Sequence, residues 1–181
     1  MSKHNQTWKE FAANEVSHSM AHYLVTLRDL HALRGYARVS DVAKELGVAK
    51  GTVSAQMRHL KEKGFVSEDE NRHLLLTESG DAAARQVVYN RTTMIQFLSK
   101  VLEVDSQQAE VDACKIEHLL SPPASQRILA LVKLLLSEDD AAQALLEKLK
   151  SGRSAHADAV AAARGDGVGD AERRIANDRK H

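Results

Sequence analysis

The sequence has few cysteines, prolines and aromatic residues, and each scarcity excludes something. A single cysteine excludes a disulfide bond within the chain and leaves Cys114 for metal binding or packing. Because only 4% of the residues are aromatic, the core must consist mainly of Leu, Val and Ala. No apolar run approaches the length of a membrane span, and the first residues are not a signal peptide. We therefore expect a cytoplasmic protein without a membrane partner.

The chain also lacks net charge, but its charges are segregated along the sequence. Residues 34–64 carry seven Lys or Arg against three acidic residues, whereas residues 101–150 carry five against nine. A basic segment followed by an acidic one is typical of a DNA-reading unit joined to a body that attracts cations.

Hydrophobic spacing and composition divide the chain into four parts. Residues 1–15 are polar and are predicted to be a flexible N-terminus. Residues 16–80 are predicted to form a winged helix-turn-helix DNA-binding domain, and residues 81–150 a helical domain. Residues 151–181, rich in Ala, Gly, Arg and Asp, are predicted to be a flexible tail with one weak helix near residues 154–164. The predicted fold class is mainly α.

Glycines delimit the helices of the first domain. After a helix over residues 16–33, Ser40 is the expected N-cap of a short helix over residues 41–46, and the next helix spans residues 49–63. Two such helices across a turn with glycine form a helix-turn-helix. Short strands are expected at residues 65–67 and 73–76, with a wing between them.

The second helix of such a unit enters the major groove of DNA. Val53, Met57 and Leu60 recur at helical spacing and are expected to face inward. The remaining candidates for DNA contact are Lys50, Thr52, Ser54, Gln56 and Arg58 on this helix and Arg72 in the wing. Winged helices also serve as protein-interaction modules, but the concentration of positive charge here favours DNA.

The second half is predicted to be helical throughout. Helices are expected over residues 77–102, 106–120, 126–136 and 140–150, with a break at Pro122 and Pro123. Within the second of these, Cys114, Glu117 and His118 are spaced i, i+3 and i+4 and therefore share one face of a helix. Thiolate, carboxylate and imidazole are all good ligands for transition metals.

Four stretches of the sequence carry a resemblance to a known family. They are residues 35–43 (GYARVSDVA), 52–54 (TVS), 76–80 (LTESG) and 114–121 (CKIEHLLS). In them the chain resembles the diphtheria toxin repressor and manganese transport regulator family, over about residues 18–150. The resemblance implies a homodimer that pairs through its helical half and binds a near-palindromic operator when metal is abundant. It also implies that a ligand from the N-terminal helix meets the Cys-x-x-Glu-His face, and His22 falls at that position.

The chain departs from this family where a second metal site is expected. Arg91, Ile95 and Glu110 occupy ligand positions of that site, and Val25 stands where manganese regulators place a carboxylate. We therefore do not expect a two-metal centre in this chain. In its place we predict an ion pair between Arg91 and Glu110. Ala49 replaces the usual polar cap of the DNA-reading helix, a change of about 1 kcal/mol.

We therefore predict one regulatory ion per subunit, held by His22, Cys114, Glu117 and His118, with His18 as a weaker fifth candidate. These donors suit Fe(II), Zn(II), Co(II) or Ni(II) better than Mn(II), which prefers oxygen ligands. The resemblance makes Fe(II) the first choice, with Mn(II), Zn(II) and Co(II) as alternatives.

The predicted function is a metal-dependent transcriptional regulator, a repressor of metal-uptake genes that acts as a homodimer loaded with Fe(II) or Mn(II). One alternative is a metal-independent winged-helix regulator gated by a small organic effector. Another is a structural zinc site needed for folding. An enzyme with Cys114 as nucleophile and His118 as base is disfavoured, because no oxyanion hole or orienting partner is evident.

Overall fold

The structure is a computed structural model that describes residues 16–151. The predictions for residues 1–15 and 152–181, including the weak helix near residues 154–164, lie outside the described residues. The elements are α1 (His18–Arg34), α2 (Val39–Leu46), α3 (Lys50–Glu62), β1 (Val66–Glu68), β2 (Leu74–Leu76), α4 (Glu78–Gln96), a π-helical turn (Phe97–Val101), α5 (Ser106–Ile116), α6 (Pro122–Leu135) and α7 (residues 140–151). The prediction of a mainly α fold is confirmed, with a winged helix-turn-helix followed by a helical half.

The winged helix is built around one apolar core shared by α1, α2 and α3. Leu27, Val42, Val53 and Leu60 have no exposed surface, because the helical spacing of each segment turns its apolar side to the same centre. The strands β1 and β2 pair antiparallel beside this core. The ring of His31, in the last turn of α1, bonds through Nε2 to the Leu74 carbonyl oxygen at 2.6 Å, so α1 also touches the wing.

Two predictions of helix starts are wrong, each for a local reason. Ser40 lies inside α2, because Arg38 is the N-cap and its N–H donates to the Asp41 carboxylate at 2.9 Å. Pro122 and Pro123 begin α6 and do not precede it, since the first helical positions need no N–H donor. By contrast, α3 does begin after Ala49, whose side chain supplies no cap.

The helical half is organised around α4, which packs against α1, α5 and α6. Its predicted continuation to residue 102 is interrupted by the π-helical turn. There the Ser99 hydroxyl donates to the Ile95 carbonyl at 2.6 Å and competes with the regular helical hydrogen bond. A second core, with Val101, Val132, Leu135 and Leu146 buried, closes this half. Among the described helices, none has the length and apolarity to cross a bilayer.

Candidate metal centre

Helices α1 and α5 bring together side chains that are far apart in the sequence. His22 Nε2 lies 3.3 Å from Cys114 Sγ, across a separation of 92 residues. His18 is one turn before His22 on the same face of α1, and the two rings meet edge to face with centroids 4.6 Å apart. His18, His22 and Cys114 each offer one ligand atom, and these three atoms lie within 4.8 Å of one another.

The environment keeps the imidazole of His22 ready to bind a cation. Burial lowers the pKa of His22 below its ordinary value, and the nearby charges of His18 and Arg91 lower this pKa further, while Glu117 opposes them. A lowered pKa leaves the ring neutral at neutral pH, which is the form that binds metals. The donor chemistry of two imidazoles and a thiol therefore fits a divalent transition metal.

Glu117 is held by α4 at two points. Its carboxylate is fully buried and receives hydrogen bonds from Nε and Nη2 of Arg91, the latter at 2.8 Å. Its backbone carbonyl receives a hydrogen bond from Asn90 Nδ2 at 2.6 Å. The hydrogen bond to Glu117 raises the pKa of the Arg91 guanidinium. The predicted ion pair between Arg91 and Glu110 is therefore wrong, since Arg91 pairs with Glu117 and Glu110 is exposed.

His118 lies beside the histidines of α1 and follows the end of α5. Its ring centroid is 5.2 Å from that of His18, and burial lowers its pKa, as does the neighbouring His18. Of the four predicted ligands, the structure thus brings His22 and Cys114 into contact and places His118 next to His18. It directs the carboxylate of Glu117 to Arg91. The ligand set itself stays a prediction.

A pocket of about 640 Å³ opens beside these side chains, between α1, α4 and α5. His18, His22, Arg91 and Cys114 line it, together with the carboxylate-bearing Glu110 and the apolar side chain of Ile95. Water or a small anion could therefore reach a cation bound here.

Sequence reasoning missed the polar contacts that place α5 and α6 on α4. Asn90 is buried and also donates to the Leu120 carbonyl at 3.0 Å. Gln86 donates to Asn90 Oδ1 at 2.7 Å and to Ser125 Oγ at 3.3 Å. Gln86 and Asn90 are spaced i, i+4 on an otherwise buried face of α4. Because buried amides require hydrogen-bond partners, this spacing could have predicted polar contacts with a neighbouring helix.

Helix α3, which the sequence predicts to read DNA, shows the predicted division between its faces. Val53, Met57 and Leu60 are buried. The candidates for DNA contact are exposed or partly exposed: Lys50, Thr52, Ser54, Gln56, Arg58 and Arg72. Ser54 and Arg72 also line a groove of about 420 Å³ with Arg38 and Lys61, two cations that sequence reasoning did not single out. Their contacts with DNA stay predictions.

Two family models match the two halves of the chain. "Iron dependent repressor, N-terminal DNA binding domain" matches residues 15–74, and "Iron dependent repressor, metal binding and dimerisation domain" matches residues 77–139. These matches define a class, the metal-dependent transcriptional regulators that join a DNA-binding domain to a metal-binding one.

Similar proteins with curated names agree with this class. The chain is 30% identical to the HTH-type transcriptional regulator MntR of Lysinibacillus sphaericus over 138 residues, which cover 76% of this chain and 96% of that protein. It is 32% identical to MntR of Bacillus subtilis over 138 residues, with the same coverage. The chain therefore belongs to the iron-dependent repressor family, and the resemblance seen in its motifs is confirmed.

Solved structures share the fold. T. acidophilum IdeR is 25% identical with a TM-score of 0.51, and the match covers 61% of this chain and 52% of that one. The manganese regulator SloR is 20% identical with a TM-score of 0.56, over 62% of this chain and 53% of that one. At this identity the likeness to SloR shows the fold alone.

Proposed function

We propose that the chain is a cytoplasmic, homodimeric repressor whose affinity for operator DNA is set by a divalent transition metal. The observation that carries this proposal is the distance of 3.3 Å between His22 Nε2 and Cys114 Sγ. One of these side chains belongs to the first helix of the winged-helix half and the other to the helical half. One divalent ion can accept electron pairs from both donors and so be bound by the two halves at once.

Helix α1 makes this contact relevant to DNA reading. Its residues Leu24 and Leu27 are fully buried in the core that also contains Val53 and Leu60 of α3. When an ion holds His22 and Cys114 together, α1 keeps one orientation relative to α5. Because α3 shares a core with α1, α3 also keeps one orientation relative to α5. Selection of one orientation from several would raise DNA affinity, and DNA would by reciprocity raise metal affinity.

Exposed apolar side chains on the helical half support a homodimer. Leu131, Leu134, Leu145 and Leu149 are 45%, 59%, 57% and 40% exposed on α6 and α7. Exposed leucines that recur on one face of a helix, as at residues 131 and 134 and at residues 145 and 149, are typical of an interface. Two copies joined there would present two α3 helices to successive major grooves of a palindromic site.

The choice of ion rests on the donors and on the family. Fe(II) remains our first choice, with Mn(II), Zn(II) and Co(II) as alternatives. Imidazole and thiolate suit Fe(II), Co(II) and Zn(II) better than Mn(II).

The proposal is tested by letting the full chain select DNA duplexes from a pool of random sequence. The selection is done without oxygen and with Fe(II), Mn(II), Co(II) or Zn(II) supplied. Affinity for a selected duplex is then measured with each metal and with a chelator. We expect an effective metal to raise affinity by about 5- to 150-fold, the usual range of coupling between sites. Cys114→Ala should remove this increase, whereas Gln107→Ala, an exposed change on the same helix, should keep it. Equal affinity with chelator and with every metal would instead favour the regulator gated by an organic effector.

A further inference from the structure

We infer that the ion is bound by three protein ligands, His18, His22 and Cys114, and that Arg91 withholds the Glu117 carboxylate from it. This inference rests on the proposed function, because it names the ligands and the selectivity of the same regulatory site. It removes Glu117 and His118 from the predicted ligand set and adds His18, which the sequence placed lower. The ring of His118 lies against that of His18, but the three donor atoms that lie together belong to His18, His22 and Cys114.

The spacing of the three donors suits one ion. Bonds from zinc to nitrogen and sulfur are about 2.0–2.3 Å long, so donors on a tetrahedral ion lie roughly 3.3–3.8 Å apart. His22 and Cys114 already meet this spacing at 3.3 Å. The atoms of all three lie within 4.8 Å, and the exposed His18 side chain can rotate to close the remainder. Small side-chain movements therefore suffice.

Glu117 is committed elsewhere in the same structure. Both of its carboxylate oxygens receive hydrogen bonds from Arg91, and its backbone carbonyl receives one from Asn90. A cation would have to compete with the Arg91 guanidinium for the oxygens of this carboxylate, which has no exposed surface. Separating a buried ion pair is strongly unfavourable, so the pair is expected to persist when metal is bound.

The resulting donor set carries one negative charge, from the thiolate of Cys114. Two imidazoles and one thiolate without a carboxylate favour Zn(II) and Co(II) over Mn(II), which relies on oxygen donors. The adjoining pocket of about 640 Å³ gives a fourth coordination position access to water or a small anion. Arg91 and Lys115 line that pocket together with Glu110, so the cationic side chains outnumber the single carboxylate there.

Titration of the full chain with Co(II) alone, without oxygen, tests the ligand set directly. A thiolate ligand gives a charge-transfer band in the near ultraviolet, and a four-coordinate ion gives intense visible bands. We expect wild type to bind one equivalent with both signatures. His18→Ala should weaken Co(II) affinity by at least about tenfold. Loss of a residue that only hydrogen-bonds to a metal ligand typically costs about 10- to 100-fold in affinity, and loss of a ligand should cost no less. Glu117→Gln should keep both the affinity and the spectrum.

His59→Ala serves as the control, since His59 is an exposed imidazole on α3 and should have no effect. The His18 side chain is exposed, so His18→Ala leaves the core intact. Co(II) binding by this variant therefore tests the ligand set even if Glu117→Gln unfolds. The inference is overturned if Glu117→Gln weakens binding tenfold, if His18→Ala binds like wild type, or if wild type shows no thiolate band.

DNA titrations on the same samples separate this inference from the proposed function. Metal-stimulated DNA binding together with a Glu117-dependent spectrum would overturn the ligand set and leave the proposed function in place. The expected spectra without any effect of metal on DNA affinity would overturn the proposed function and leave the ligand set in place.

Discussion

At the scale of single residues, the pairing of Arg91 with Glu117 places a buried carboxylate beside the candidate metal centre. Glu117 has no exposed side-chain surface, whereas the Arg91 side chain is 31% exposed. A buried carboxylate that loses its partner is left with an uncompensated charge, which costs far more than the pair itself contributes. A change that removes Arg91 therefore has to be combined with a change that removes the charge of Glu117 if stability is to be kept.

Removal of Arg91 alone should destabilise the fold. We expect Arg91→Met to lower the free energy of unfolding by about 3 kcal/mol, the low end for broken buried pairs because Arg91 is partly exposed. Adding Glu117→Leu to Arg91→Met should recover at least about half of this loss. Urea denaturation followed by circular dichroism measures all three free energies.

Arg85→Met is the matched control for this prediction. Arg85 pairs with Asp81 on the same helix, but its side chain is 63% exposed. Loss of an exposed pair should change stability by less than about 1 kcal/mol. If Arg91→Met were equally mild, Glu117 would not depend on Arg91 for its burial.

The sequence could name Arg91 as an unusual residue, but it could not name its partner. Glu110 and Glu117 both lie on or beside α5, and helical spacing alone does not tell which one is buried. The choice is made by Asn90, which holds the backbone of residue 117 against α4. That contact depends on the packing of helices, which residue spacing does not encode.

At the scale of elements, the junction between the wing and α4 is tightly packed. Thr77 and Ser79 both donate from their hydroxyls to the Gly64 carbonyl, at 2.7 Å and 3.0 Å. Gly80, in the first turn of α4, lies against the Phe65 backbone, and a methyl group there would overlap the Phe65 carbonyl oxygen. The absence of a side chain at residue 80 thus sets how closely α4 approaches β1.

Gly80→Ala should therefore destabilise the protein by about 1–3 kcal/mol, since the clash is with backbone and cannot be relieved by a rotamer change. Gly51→Ala is the control, because that glycine lies in the first turn of α3 with open space around it. This second change should stabilise the protein by less than about 1 kcal/mol, the helix-propensity difference for an interior position, because Gly51 lies in the first turn. Thermal and urea unfolding of both variants would show the opposite signs; equal effects would contradict the close approach at residue 80.

Elements were more predictable than contacts because their signals are local. Gly35 and Gly47 adopt positive φ at the ends of α1 and α2, as glycine at a helix end predicts. The start of α2 was misplaced because Asp41 caps it from inside the helix. The π-helical turn was missed because Ser99 acts on the Ile95 carbonyl without altering the apolar spacing of α4.

At the scale of the whole molecule, the two halves have different surfaces. The winged helix presents polar and basic side chains from α3, whereas α6 and α7 leave several leucines exposed. The charge segregation along the sequence predicted the basic side chains of the winged helix, but it did not predict the exposed leucines. It could not predict that α1 would reach α5, since the meeting of His22 with Cys114 depends on how both helices pack on α4.

The exposed leucines should be needed for dimerisation. We expect Leu134→Asp combined with Leu145→Asp to give a monomer at concentrations where wild type is a dimer, because two charges would have to be buried in the interface. Analytical ultracentrifugation measures the mass, and DNA titration should show a parallel loss of affinity. Leu33→Asp is the control, since Leu33 is 75% exposed on the winged-helix half and should leave the dimer intact. An unchanged dimer in the double variant would place the interface elsewhere.

Helix α1 runs without a break from the contact with Cys114 to the contact with the wing. Its 17 residues span about 25 Å. His18 and His22 stand near one end, and His31 near the other end bonds to the Leu74 carbonyl of the wing. Because the helix is continuous, a tilt at the end that carries His18 and His22 would displace the wing at the other end. The wing and α3 would then move together.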